Sequence, residues 1–418
     1  MNNEYIFAHL TVIILVSAIS GILLARLNQP IMIGYISAGI AFGTSGFGLI
    51  ASETQIQFYS ELGILLLLFV IGIELNVRSF VKMWRIPTLF TLIQVLANAG
   101  IAVLVSTVFG ANLGVSLLIA FIISLSSTAA IIKVLEYIGE LKTDVGHISI
   151  GILVAQDIAI VPMMLIIRES GKFNMEVVID LVVAIGLVIL LIKYLSKKDK
   201  INLPTNKILP NSDLTPVVTL ALCFLAAAIV VMFGLSEAYG AFLAGLFLGN
   251  TQERHNILNS IKPIQNVLLM AFFISVGLMF DLHFLLENWP IVLLTLLIIT
   301  AWKIVFNTIV LKWFSIELAK AASIGIILAQ LGEFSLVLAN VATQSSIIGE
   351  FGQKLIICVT ALSLSSGSFF IALSNRSKRL SYLGDNSLSS LIKSLFSIKF
   401  AKEIRKLSFE YQQMKKDN

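Results

Sequence analysis

Thirteen apolar stretches, joined by short polar loops, make up most of this chain, and no other feature restricts its fold as strongly. They fall near residues 5–25, 31–50, 60–76, 86–109, 113–136, 147–167, 176–195, 214–234, 237–250, 264–281, 289–312, 319–341 and 350–374. A helix of about 20 apolar residues crosses the roughly 30 Å of bilayer hydrocarbon. No water is available there to satisfy backbone N–H and C=O groups, so each segment must pair its own, as a helix does. Composition points the same way: 57% of the 418 residues are hydrophobic and 13% charged, against about 25% charged in soluble domains. The predicted class is an all-α polytopic membrane protein of about 13 transmembrane helices. The second and ninth spans are short and glycine-rich, which suggests tilted or partly re-entrant helices. Pro30, Pro87, Pro216, Pro263 and Pro290 stand where spans begin, and a missing N–H is harmless there.

The distribution of Lys and Arg over the loops sets the orientation. Assigning loops alternately puts fifteen on one side, from Arg26 through Lys320, and three on the other, Arg168, Lys172 and Lys354. The expected arrangement is a multi-pass protein of the cell (inner or plasma) membrane, N-terminus outside and C-terminus cytoplasmic. The tail, residues 376–418, adds ten more Lys and Arg among helically spaced apolar residues. It is expected to lie as an amphipathic helix on anionic membrane lipids. That tail accounts for the basic balance, so there is no case for a nucleic-acid partner. The start, "MNNEYIFAHL", lacks the basic region and cleavage site of a signal peptide. Cys223 and Cys358 lie in apolar stretches and read as buried hydrophobes. With no HExxH, phosphate-binding loop or nucleophile elbow, an enzyme is not expected.

The chain contains an internal repeat. "GYISAGIAFG" at 34–43 matches "GAFLAGLFLG" at 240–249 glycine for glycine, at an offset of 206. "LFVIGIELNVRSF" at 68–80 matches "FFISVGLMFDLHF" at 272–284 at nearly the same offset. The matched segments lie seven spans apart, an odd number, so the second copy enters the membrane upside down. Inverted repeats of this kind mark secondary transporters, with the substrate site near the midplane. The repeats are placed at about 5–167 and 214–374 within a 1–375 transmembrane domain. Residues 176–195 form a linker helix, and the polar segment 196–213 a cytoplasmic connection.

Charged residues stand near the middle of three spans: Asp157, Lys303 and Glu333. A carboxylate at the bilayer centre costs about 2.5–3.5 kcal/mol on insertion scales, so such residues are functional candidates with a partner; a structural salt bridge is the plainer alternative. In "SLSSTAA", Ser124, Ser127 and Thr128 are spaced to share one helical face, unless their hydroxyls bond back to their own helix. Shifting Ser124 by the repeat offset lands on Gln330, in "QLGEFSLVL". Polar interruptions at corresponding points of two repeats indicate broken helices whose freed carbonyls and termini receive a cation. Pro162 also withholds an N–H from the carbonyl of Ile158. Asp157 is then expected to bind a proton and a metal cation alternately. A buried carboxyl favours its protonated form and a bound cation the charged form, so a single site gives obligate exchange.

At these residues the chain resembles the monovalent cation:proton antiporter-2 family, especially the membrane domain of Kef-type potassium/proton antiporters. The strings that carry the resemblance are "GYISAGIAFG", "LLLLFVIGIEL", "SLSSTA", "AQDIAIVPM", "GAFLAGLFLG", "FFISVGLMFDL" and "GEFSLVL", in order over residues 1–375. The resemblance implies a thirteen-helix fold related to Nap-type sodium/proton antiporters, with crossing broken helices and an elevator mechanism. It also implies a homodimer, in which a dimerisation domain holds a mobile core. It makes Asp157 the ion- and proton-binding carboxylate with Gln156 beside it, and Lys303 the core lysine; from the residue pattern itself, Ser127, Thr128 and Ser124 are expected to join the ion site, with Glu333 and Gln330 in support. The sequence departs from the pattern in two places. It ends at Asn418, so no nucleotide-binding regulatory domain is expected, and "ERHNILN" at 253–259 replaces a loop that typically reads "YRHALE". Nap-type members carry two adjacent aspartates where this chain has Gln156–Asp157, which favours K⁺ over Na⁺ and, with one titrating ligand, electroneutral exchange. No cofactor is expected beyond the transported ions. The alternative is a K⁺ channel or uniporter, for which no filter-like repeat is found.

Overall fold

A computed structural model describes residues 3–26, 31–43, 46, 53–75, 85–169, 175–197, 214–232, 237–367, 370 and 373. Among the described residues the chain is all-helical, with fifteen α-helices. The first eight are α1 (Asn3–Arg26), α2 (Ile31–Phe42), α3 (Glu53–Glu74), α4 (Arg85–Phe109), α5 (Leu113–Ser124), α6 (Thr128–Tyr137), α7 (Asp144–Arg168) and α8 (Met175–Lys197). After them come α9 (Thr215–Val231), α10 (Glu237–Leu248), α11 (Arg254–Leu278), α12 (Leu282–Trp313), α13 (Leu318–Ile327), α14 (Phe334–Gln344) and α15 (Glu350–Ser365).

The thirteen expected spans give fifteen helices because two of them are broken. The fifth divides into α5 and α6 around residues 125–127, and the twelfth into α13 and α14 around residues 328–333. The sixth does not break: α7 runs through Pro162. Two prolines expected at span starts lie inside helices, Pro263 in α11 and Pro290 in α12. Both helices extend further upstream than hydropathy alone shows, and α12 has a non-helical residue, Asn288, just before its proline. The tail 376–418 and the connection at 198–213 lie outside the described residues.

Helices α4, α7, α11 and α12 are each long and apolar enough to cross a membrane. Leu96, Leu104, Phe109, Leu286, Leu294 and Ile298 are more than half exposed on α4 and α12. Large apolar side chains exposed in this number along two long helices suit hydrocarbon and not water.

The helices sort into two bundles. One holds α1–α3 with α9–α11, the other α4–α7 with α12–α15, and α8 packs between them on α7 and α10. Small residues let the first bundle close tightly. A Cβ added at Gly39 would lie 2.3 Å from the Ile274 carbonyl, and one at Gly245 would lie 2.0 Å from that of Phe69. These glycines match in the repeat, as do their partner helices, α11 for one and α3 for the other. Gly34 and Gly240 match likewise, pressing on Ser20 of α1 and Ala226 of α9.

Candidate functional site

The two breaks meet inside the second bundle. A Cβ added at Gly332 would stand 2.9 Å from the Ser126 carbonyl oxygen, so the segments 125–127 and 328–333 cross at backbone contact. Four helix ends converge there: the C-termini of α5 and α13 and the N-termini of α6 and α14. Each end leaves backbone groups unpaired within its own helix and carries a partial charge, positive at an N-terminus and negative at a C-terminus.

Side chains answer each end with matching chemistry. Lys303, on α12 and fully buried, donates to the Leu125 carbonyl at the end of α5 and to Ser126 Oγ at 3.1 Å. Ser126 Oγ in turn donates to the Leu328 carbonyl at the end of α13, at 2.7 Å. Glu333 occupies the N-cap of α14 and accepts from Ser127 Oγ at 2.7 Å. Asp157, from the middle of α7, accepts from Thr128 Oγ1, at 3.3 Å from Oδ1 and 3.2 Å from Oδ2. Thr128 is the first residue of α6. The Lys303 amine therefore lies at a negative helix end, while both carboxyls are held at positive ones. Consecutive residues, Ser127 and Thr128, hold one carboxyl each.

Gln330 ties the second break to α15, donating to the carbonyls of Ser363 and Leu364 at 3.0 Å, while the Leu331 N–H donates to Ser363 Oγ at 2.9 Å. Gln156 is 1% exposed and Asp157 6% exposed, so the site is closed to bulk solvent. Among the described residues no Lys, Arg or His pairs with Asp157. Lys303 likewise has no carboxylate partner among the described residues, where its bonds go to a carbonyl and a hydroxyl.

The structure corrects the reading of Ser124, Ser127 and Thr128 as one helical face. That spacing holds only along an unbroken helix, and the break at 125–127 separates the three. Ser124 ends α5, donates to the Ala120 carbonyl at 2.8 Å and accepts from Asn98 Nδ2 at 2.9 Å. It faces α4 and has no hydrogen bond to Asp157.

Four polar residues of the site escaped sequence reasoning. Gln156 Nε2 donates to Gln94 Oε1 at 2.9 Å, and Gln94 Nε2 to Asn307 Oδ1 at 3.0 Å. Trp302 Nε1 donates to Asn98 Oδ1 at 3.0 Å. A signal was present: Gln94 and Asn98 recur four residues apart in the apolar span 86–109, as Lys303 and Asn307 do in 289–312. An uncharged amide costs less to place in hydrocarbon than a charged side chain, so it marks a site in a span less sharply.

The atoms bonded to one another at Asp157 are oxygens, its own carboxylate and the Thr128 hydroxyl, and the residue before it in sequence, Gln156, carries an unbonded side-chain carbonyl. Oxygen donors suit hard cations. The sodium/hydrogen exchanger transmembrane family matches residues 12–374. The iron transporter MagA of Paramagnetospirillum magneticum is 38% identical over 389 residues, covering 92% of this chain and 89% of that protein. K(+) efflux antiporter 5 of Arabidopsis thaliana is 28% identical over 373 residues, covering 86% of this chain and 65% of its own. The glutathione-regulated potassium-efflux system protein KefC of Salmonella typhi is 29% identical over 369 residues, covering 85% and 58%. The chain thus spans less than two-thirds of each potassium-efflux relative. The sodium proton antiporter MjNhaP1 of Methanocaldococcus jannaschii shares the fold, with a TM-score of 0.64 at 15% identity over 88% of this chain and 98% of that one. With residues 12–374 matched and its fold shared, the chain belongs to the transmembrane sodium/hydrogen exchanger family, a family of multi-pass monovalent cation:proton antiporters.

Proposed function

We propose that the protein exchanges K⁺, in preference to Na⁺, for H⁺ by alternating access, with Asp157 holding either the proton or the cation. One observation carries this reading: Asp157 is buried and bonded to Thr128, and no described basic residue neutralises it. Burial of an unneutralised carboxylate costs about 2.5–3.5 kcal/mol on insertion scales, so the neutralising species is an exchangeable one. Thr128, Ser127 and Gln156 supply further oxygens. Gln156 cannot ionise, and Lys303 is occupied by Leu125 and Ser126. Glu333 is tied to Ser127. The cycle therefore counts one proton against one cation and is electroneutral. K⁺ is favoured by Gln156 and by the potassium-efflux relatives.

In this reading the bundle of α1–α3 and α9–α11 anchors a homodimer in the cell membrane, while the bundle of α4–α7 and α12–α15 carries the site past it. The loop Lys and Arg favour an outside N-terminus and a cytoplasmic tail. The test is proteoliposome dequenching of an internal pH dye as K⁺, Na⁺ and Li⁺ are added in turn, with Asp157→Asn beside the wild type. Cation-driven proton flux in the Asn variant above the empty-liposome level would overturn the assignment. Cation flux with no proton movement would indicate the channel or uniporter instead.

A second reading has one observation behind it. Asp157 and Glu333 hang on consecutive residues, and two carboxylates suit a divalent cation such as the iron named for MagA. Proton flux driven by Fe²⁺ under reducing conditions, and not by K⁺ or Na⁺, would select it.

A further inference from the structure

Three buried amides form a single line of hydrogen bonds across three helices. Gln156 of α7 donates to Gln94 of α4, and Gln94 donates to Asn307 of α12, at 2.9 and 3.0 Å. All three are at most 1% exposed. An amide has one donor end and one acceptor end, so such a line has a direction. Here it begins with an unbonded carbonyl, Gln156 Oε1, and ends with an unbonded NH₂ group, Asn307 Nδ2; neither has a partner among the described residues. A buried polar atom without a partner is uncommon and calls for an explanation.

The carbonyl end belongs to the residue next to Asp157. Run the other way, the same line would end on the Gln156 NH₂ group, whose hydrogens repel a cation. Turning one amide alone sets two oxygens or two NH₂ groups against each other, so three side chains hold the direction together. We propose that Gln94 and Asn307 are positioning residues for cation binding: they hold Gln156 with its carbonyl oxygen unpaired beside Asp157, as a neutral ligand for the transported ion. This inference rests on the reading of Asp157 as the cation-binding carboxylate.

The relay explains why the amides are buried far from any chain end, and it adds an oxygen without adding a titrating proton. It also separates two tasks. Asp157 sets whether a cation or a proton is held, and the amides set how tightly the cation is held.

The experiment is a double-mutant cycle in proteoliposomes, with K⁺ (or whichever of K⁺ and Na⁺ drives the wild type) as the varied ion. Gln94→Met fills similar space but neither donates nor accepts, releasing Gln156 to turn. The expected result is an apparent KM about tenfold higher, with the rate at saturating cation within about twofold of wild type. Gln156→Met should raise KM by a similar factor. Because Gln94 acts through Gln156, the double variant should be no worse than Gln156→Met alone. Asn307→Leu, which frees the far end of the line, should raise KM by a smaller factor, and it supplies the same cycle if Gln94→Met does not purify as a folded protein. Unchanged KM in Gln94→Met and Asn307→Leu, or factors that multiply in the double variant, would overturn the relay. Asp157→Asn run in parallel keeps the two readings apart: its retaining transport refutes the carboxylate assignment, whatever the KM pattern of the amides.

Discussion

A membrane potential distinguishes one-proton from two-proton exchange, and the structure sets the expected answer. Proteoliposomes are prepared with a cation gradient and an opposing pH gradient, and the pH gradient at which flux reverses is recorded with and without a potential of about 100 mV. A thiocyanate gradient sets the potential, leaving K⁺ free as the driven ion. Each net charge moved is worth about 2.3 kcal/mol per 100 mV, and each proton about 1.36 kcal/mol per pH unit. In this site the residue beside Asp157 is Gln156, which carries no proton, and Lys303 is bonded to a carbonyl and a hydroxyl instead of a carboxylate. One proton against one cation moves no net charge, so the reversal point should not move. Two protons against one cation would move one charge, and 2.3 kcal/mol divided between two protons shifts the reversal point by about 0.85 pH unit. A shift of that size refutes the one-carboxylate cycle. Its disappearance in Glu333→Gln would assign the second proton to Glu333, the other buried carboxyl at the crossing.

Other consequences are as direct. Asp157→Asn keeps an acceptor for Thr128 but no exchangeable proton, so transport should fall to the empty-liposome level. Its melting temperature in detergent should stay level or rise, because a buried charge costing about 2.5–3.5 kcal/mol is gone. Thr128→Val removes the hydroxyl from both Asp157 oxygens; at about 1 kcal/mol for the hydrogen bond, apparent cation KM should rise roughly fivefold, and an unchanged KM would return Thr128 to a purely structural place. Gly277→Leu should abolish a monodisperse, folded preparation, since a Cβ there would lie 2.2 Å from the Ile36 carbonyl. Gly186→Leu on α8, where nothing stands within 4 Å, should be tolerated in the same size-exclusion assay.

Hydropathy alone located the spans, because the lack of water in hydrocarbon acts on each segment separately and forces helix on each. The repeat offset then pointed to breaks at corresponding places, near Ser124 and near Gln330, and the insertion cost of a lone carboxylate singled out Asp157. These are local or additive signals, readable in one dimension. What side chains do at the breaks was not readable. Periodicity put Ser124, Ser127 and Thr128 on one face, yet the break turns Ser124 to Asn98, Ser127 to Glu333 and Thr128 to Asp157. Lys303 finds the Leu125 carbonyl 178 residues away, and Gln94 bridges Gln156 and Asn307 across 62 and 213 residues. An amide or an ammonium can bond to many acceptors, and which one it meets depends on how closely two helices approach and in what rotation. Packing of the two bundles sets that approach, through contacts such as Gly332 on Ser126, and only the tertiary structure decides it.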